Sequence, residues 1–331
     1  MTADSRFKSQ FAKHMEAYVE DYRLRGLKTN SIMQVLGILD DFIIAEGYNK
    51  DYIDKDIFDR WEDSFSDCVY GTRQGRRSLV RGFLMYMNQL GRACYMPRTL
   101  HYKESDHIPY IYSEEEVKRL FKETDAWRDE VFRSNYVVIA LPAIMRLLYS
   151  TGARIGETLA IRNRDVDFNR HVIYLAFTKN RCERLIPMNE SLESVIRQYI
   201  HYRNMLPIPD PTDPDKPLFV NCRGRKVCMK SVQTRFRNIA YKAGIPSEAR
   251  IHDLRHTACV HAMAKLVRNG YDIYCCLPML SVYMGHKNPH ATEYYLRLTK
   301  EQYPDLIELD NKATSAIKGI ISRSIIIQDE E

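Results

Sequence analysis

A chain of 331 residues with 49 Lys+Arg against 43 Asp+Glu carries a net charge of +6, a pI near 8.8 and 45% hydrophobic side chains. At roughly 100 to 200 residues per domain, that predicts two domains, each with its own core, and excludes a largely disordered chain. The longest apolar run, Tyr136 to Met145, has ten residues and includes Pro142; this is well short of the roughly 20 that cross a bilayer. The N-terminus MTADSRFKSQ has no apolar signal core, so a cytoplasmic location is expected.

In chain order, FAKHMEAYVEDYRLRG and NSIMQVLGILDDFIIAEG carry apolar residues at helical spacing and end at Gly26 and Gly47. A small four-helix unit is expected over residues 1–96. Its last helix should run from about Thr72 to Gly91, with Leu79, Phe83, Met87 and Leu90 along one stripe and arginines on the other face. Residues 97–112 contain Pro97 and Pro109, lack periodicity and read as a linker. At Ser113 a second domain opens over 113–315, where Ser113 and Glu116 in SEEE form a capping box. Helical patterns run to Leu159, and then HVIYLAFT and CERLIPM flank the turn-like KNR as a hairpin with Lys179 at its tip. Helices from about Ser191, Lys230, His252 and Leu277, with the proline-rich loop IPDPTDPDKP among them, complete the domain. Residues 316–331 form a tail whose SAIKGII and SIII segments are apolar enough to need burial. The expected fold class is mainly α with a small antiparallel β-sheet.

Eight cysteines, at 68, 94, 182, 222, 228, 259, 275 and 276, show no CxxC pair and no metal-ligand spacing. Reduced, mostly buried thiols are expected, without a disulfide framework or structural zinc. No phosphate-binding glycine loop or internal repeat is present.

Charge is uneven. Val69 to Lys103 contains Arg73, Arg76, Arg77, Arg81, Arg92, Arg98 and Lys103 without one acid. Phe219 to His256 contains Arg223, Arg225, Lys226, Lys230, Arg235, Arg237, Lys242, Arg250 and Arg255 against only Glu248 and Asp253. One such tract would read as a solvated helix face; two point to a polyanion such as nucleic acid. Arg73, Arg76, Arg77 and Arg81, with Arg223, Arg225, Lys230 and Arg235, are the candidate DNA contacts.

Three clusters combine Arg, His and Tyr in a telling order: STGARIGETLAI, IHDLRHTACV and MGHKNPHATEYYLRL, with Lys179 between the first two. A lone arginine or a lone HxxR is commonplace. Together they resemble the catalytic domain of the tyrosine recombinases, the phage integrase family of DNA breaking and joining enzymes, over about Ser113 to Thr299. The N-terminal unit is similar in size and basicity to that family's helical, SAM-like core-binding domain. The resemblance implies an α+β catalytic domain and a C-shaped clamp of two domains around DNA. Residue by residue, Arg154 matches the family's first arginine and Glu157 the acid one turn later. Lys179, five residues before Arg184, matches the hairpin lysine; His252 and Arg255 match HxxR; His286 matches the position held by His or Trp. Tyr295, nine residues beyond His286, matches the nucleophile.

These residue types suit the attack of a phenol on a phosphodiester. The pentacoordinate transition state gathers negative charge, which the planar forks of Arg154 and Arg255 can neutralise with bidentate, charge-assisted bonds. Losing either should cost roughly 3 to 4 kcal/mol of transition-state stabilisation. A phenol with an ordinary pKa near 10 needs a base or a positive field, and His252 is the candidate base. The resemblance gives Lys179 the role of acid toward the departing 5′ oxygen, His286 a hydrogen bond to the phosphate and Glu157 the orientation of Arg154 or His252. Tyr294 and Tyr295 point about 100° apart on a helix, so only one can face the phosphate; Tyr294 reads as a packed aromatic. His256, His261 and His290 read as packing or surface residues.

The implied reaction is two transesterifications through a 3′-phosphotyrosine, with no cofactor, neither ATP nor metal. The family's pattern implies a homotetramer on double-stranded recombination sites, exchanging strands through a Holliday junction, with the tail docked on a neighbouring protomer. Integration or excision of a mobile element is the expected role, at the nucleoid, and accessory DNA-bending proteins are admitted as partners; no arm-site-binding domain is expected. Xer-like chromosome or plasmid dimer resolution is the alternative. A type IB topoisomerase-like enzyme, a catalytically inactive DNA-binding relative and a helical RNA-binding protein are the remaining readings.

Overall fold

The computed structural model of the chain describes residues 6–99, 108–126, 139–176, 183–285, 295, 297–299 and 302–303. The chain divides into two compact units, the first ending at His107 and the second beginning at Ile108.

The first unit contains four helices among the described residues: α1 (Ala12–Leu24), α2 (Asn30–Ala45), α3 (Lys55–Asp63) and α4 (Tyr70–Gln89). Each buries one apolar stripe, and Met15, Leu36, Leu39, Phe58, Trp61 and Phe83 are fully enclosed where the stripes meet. Asp54 caps α3 by accepting from Ile57 N at 3.0 Å. The buried Asp40 of α2 accepts from Lys8 N at 2.7 Å and Ser9 N at 3.0 Å, which ties the N-terminal approach to the helix body.

The expected stripe on α4 is corrected by the structure. Val80, Phe83, Leu84 and Met87 are buried, whereas Leu79 is only partly so and Leu90 is exposed. The i, i+3, i+4, i+7 set begins one residue later than the spacing suggested, and Leu90 lies beyond the last helical turn. The rotation brings Arg77 into an ion pair with Glu62 and over the Phe58 ring, and places Arg76 over Phe65.

The second unit opens with α5 (Glu114–Ala126), whose capping box forms as expected: Ser113 N donates to Glu116 Oε2 at 2.8 Å and Glu116 N donates to Ser113 Oγ at 3.2 Å. Next come α6 (Leu141–Thr151) and the single turn α7 (Ile155–Thr158). The strands β1 (Val166–Asp167), β2 (Val172–Leu175) and β3 (Arg184–Pro187) follow. After them run α8 (Glu190–Asn204), α9 (Met229–Lys242), α10 (Asp253–Arg268) and α11 (Ile273–Met284). The strands form one antiparallel sheet in the order β1-β2-β3, with Leu175 opposite Arg184 at the end of the β2–β3 ladder. The tip of this hairpin, with Lys179, lies outside the described residues.

α6 is apolar nearly all round, which fits a central helix: it packs against α5, α8 and α10, and seven of its eleven residues are buried. The fold class is the expected one, mainly helical with a small antiparallel sheet, and β1 adds a strand that the sequence pattern did not show. α11 starts at Ile273 rather than near Leu277, because the Asp272 side chain caps it by accepting from Tyr274 N and Cys275 N; Pro278 then sits inside the helix. The expectation of mostly buried thiols is also corrected. Cys94, Cys259 and Cys276 are buried, but Cys222, Cys228 and Cys275 are exposed.

Candidate active site

Three segments of the second unit build the site. The first is the turn between α6 and α7, where Gly152 ends α6 with φ +60°. A side chain there would be strained by the positive φ, and a Cβ would also lie 2.7 Å from Met284 Sδ at the end of α11, which would have to move aside. Two residues on, Arg154 begins α7, and its backbone N donates to Glu157 Oε2 at 3.2 Å. Its Nη1 donates to Glu157 Oε1 at 2.8 Å.

Glu157 is 3% exposed, which by itself would raise its pKa. Hydrogen bonds from Arg154 and from Arg184 Nη2, the latter at 2.9 Å, outweigh burial and hold the carboxyl below its ordinary range. It is therefore ionised and accepts from both arginines.

The second segment is the start of α10. Arg255, 3% exposed, donates through Nη1 to Gly152 O and through Nη2 to Met284 O at 2.8 Å. One guanidinium thus joins the C-terminal ends of α6 and α11, where helix carbonyls lack intrahelical donors and carry the negative end of the dipole.

The third segment carries Tyr295, which is helical, 4% exposed and packed with Cys259, Val260, Met263 and Met284. Burial, and then Cys259, push its phenol up to about 12, against the opposing pull of Arg255 and Arg154. Its hydroxyl lies 2.9 Å from His256 Nδ1. With the phenol protonated, the arrangement has Tyr295 donating and the ring nitrogen accepting.

The structure thus brings Arg154, Glu157, Arg255 and Tyr295 together, and corrects the place of His256. Expected to be a packing residue, His256 is instead the imidazole that touches the tyrosine. His252, expected as the base, stands at the N-cap of α10, and its ring centroid is 5.2 Å from that of His256. Although His252 is exposed at the surface, the protein packed around it and then the Arg255 charge lower its pKa below 6.5. The signal for His256 was present in HDLRHT: it lies one helical turn beyond His252 and so shares its face. His261 pairs with Tyr149 at 2.9 Å. Lys179, His286, His290 and Tyr294 lie outside the described residues.

Of the candidate DNA contacts, Arg223, Arg225 and Lys230 are exposed, and Arg73, Arg76 and Arg235 are half-buried. Arg77 and Arg81 are committed to their own unit: Arg77 to Glu62 and to Arg98 O at 3.3 Å, Arg81 Nε to Pro97 O at 3.1 Å. Among the described residues no helix is long and apolar enough to cross a membrane.

Residues 111–302 match the phage integrase family. The chain is 25% identical to the integrase/recombinase relative y4rB of Sinorhizobium fredii over 300 residues, which span 87% of this chain and 93% of that one. It is 26% identical to the tyrosine recombinase XerC of Corynebacterium glutamicum over 240 residues, 72% of this chain and 70% of the relative. In fold it is similar to the XerH site-specific recombinase bound to difH substrate in a post-cleavage complex, with a TM-score of 0.61 and 16% identity over 92% of this chain and 90% of that one. It is likewise similar to the Tn1549 transposon integrase in complex with transposon right end DNA, with a TM-score of 0.60 and 17% identity over 87% of this chain and 98% of that one.

Proposed function

The chain belongs to the phage integrase family, and from that membership we propose that Tyr295 is the nucleophile with which it cleaves DNA, with His256 taking the phenolic proton. The enzyme is a site-specific tyrosine recombinase, a DNA strand-transferase. The observation that supports these roles is the Tyr295 hydroxyl 2.9 Å from His256 Nδ1, in an enclosure shared with Arg255 and Arg154.

In the first step the Tyr295 oxygen bonds to phosphorus, the P–O5′ bond breaks and the 3′ end remains on the tyrosine. The phenol cannot act while its pKa stands near 12, because almost none is ionised at neutral pH. A base in contact removes that obstacle, and His256 is the group in contact. Arg154 and Arg255 offset the charge that builds on the non-bridging oxygens. Glu157 holds the Arg154 fork in one orientation, so the phosphate meets a prepared donor. His286 hydrogen-bonds the phosphate and Lys179 protonates the departing 5′ oxygen, as the family resemblance implies, while His252 stands beside His256 with the ring centroids 5.2 Å apart. The second step reverses the first with another strand's 5′ hydroxyl.

Arg73, Arg76, Arg223, Arg225, Lys230 and Arg235 supply nonspecific phosphate contacts, which set affinity and its salt dependence. The domains are residues 1–96 for core binding and 113–315 for catalysis, joined by 97–112, with 316–331 docking on a neighbour in a homotetramer. The role is integration or excision of a mobile element, in the cytoplasm at the nucleoid.

The test is incubation with a nicked suicide substrate carrying a bound site. Wild type should trap a covalent DNA adduct, Tyr295→Phe should give none, and His256→Ala should slow adduct formation by about 10²-fold or more. An adduct from Tyr295→Phe would move the nucleophile to another residue.

A further inference from the structure

Arg184 lies at the first position of β3, and neither the expected catalytic set nor the mechanism above gives it a task. Its side chain is only 10% exposed. Strand alternation accounts for its direction: Ile186, two residues on, is buried, Leu185 between them is exposed, and Leu175 opposite Arg184 is buried, so the arginine shares the core-facing side. An arginine there is costly unless its donors are used.

Three observations define its surroundings. Nη2 donates to Glu157 Oε2 at 2.9 Å, while Arg154 Nη1 holds the other oxygen of the same carboxylate. The opposite edge of the guanidinium lies against Gly285, which ends α11 with φ +65°. A Cβ at Gly285 would come within 2.9 Å of Arg184 Nη1 and 3.2 Å of Cζ, so the glycine leaves the space that the guanidinium fills. Finally, Arg184 Nε and Nη1 are buried without hydrogen-bond partners among the described residues. This side chain therefore spans three motif-bearing segments: the Arg154 turn through Glu157, the strand leading from the Lys179 hairpin, and the Gly285 turn immediately before His286.

A buried charge with part of its donor set unused adds little to packing, and an apolar side chain would fill the same place at lower desolvation cost. Its geometry is better suited to fixing register between segments. We propose that Arg184 is a positioning residue for strand cleavage: it holds Glu157, and through it Arg154, in the orientation that meets the phosphate, and sets the Gly285 turn against the base of the hairpin. The proposal rests on the reading of Tyr295 as nucleophile. Lysine cannot do the same work, since a single ammonium replaces a planar fork that touches Glu157 on one edge and Gly285 on the other.

The experiment measures the rate of covalent adduct formation at saturating suicide substrate for the full-length wild type, Arg184→Lys, Arg184→Gln, Arg154→Lys and the Arg154→Lys/Arg184→Lys double variant, with DNA affinity and melting temperature measured alongside. Arg184→Lys, which keeps the charge and is the milder change should Arg184→Gln not fold, should slow the reaction by about 10²-fold, with unchanged DNA affinity. The double variant should lose less than the product of the two single losses, because Arg184 acts through Arg154. Wild-type rates for Arg184→Lys, a fall in melting temperature without a change in rate, or a double loss equal to the product would each overturn the proposal. Absence of an adduct from wild type itself would overturn the reading of Tyr295, and this proposal with it, whereas a normal wild type beside an unaffected Arg184→Lys overturns the proposal alone.

Discussion

α4 and the site around Glu157 are both rich in arginine, yet they use it in opposite ways. On α4 two of the arginines are spent on local partners: Arg77 goes to Glu62 and a backbone carbonyl, and Arg81 to another carbonyl. Around Glu157 two arginines share a single carboxylate and Arg255 is given to two helix-end carbonyls, so buried positive charge exceeds buried negative charge. A count of basic residues ranks the two regions alike. The excess of charge over anionic partners is what separates the proposed phosphate-handling site from a braced helix.

The sharpest way to break that contrast is to remove an arginine from the site. Arg255→Gln should lower the rate of adduct formation by about 10² to 10³-fold. It should also lower the melting temperature, since two charge-assisted bonds to Gly152 O and Met284 O are lost. Adduct kinetics and a thermal melt on the same preparation check both.

Next in size, Glu157→Gln leaves Arg154 and Arg184 without their carboxylate and should destabilise the second unit by about 3 to 5 kcal/mol, read from urea unfolding at neutral pH. The pH dependence has a definite sign. The folded pKa of Glu157 lies below its unfolded value, so the stabilisation is full above the unfolded value and is lost as pH falls through the folded one. The gap between wild type and Glu157→Gln should therefore be widest at neutral pH and narrow on acidification below the ordinary carboxylate range.

Smaller effects separate bracing from DNA contact. Arg77→Ala should cost the first unit about 1 to 2 kcal/mol while leaving the salt dependence of DNA binding unchanged. Arg225→Ala should leave the melt unchanged and reduce the slope of log affinity against log salt by about 0.9. If the two results were exchanged, the division between the regions would be wrong. Least of all, Ser113→Ala removes one half of the capping box and should cost about 1 kcal/mol in the thermal melt, without a change in adduct rate.

Much of this protein was determined by local signals in its sequence. Helical periodicity fixed the N-terminal helices, Ser113 and Glu116 marked the start of α5, and β-branched alternation around KNR marked the β2–β3 hairpin, because caps and periodic stripes are local interactions between residues a turn or a pleat apart. The order of Arg154, Glu157, Arg255 and Tyr295 was likewise legible, and the fold brings the four together. The face of α4 was off by one residue, since Leu79 and Val80 are equally apolar and only their neighbours decide which is enclosed. The roles of His256 and Arg184 depended on the tertiary structure. A histidine becomes the partner of a tyrosine 39 positions away, and an arginine comes to rest between Glu157 and Gly285, only when α10, α11 and the sheet have packed. Composition and spacing specify which donors the chain has; packing decides which of them find acceptors inside it and which remain for a phosphate.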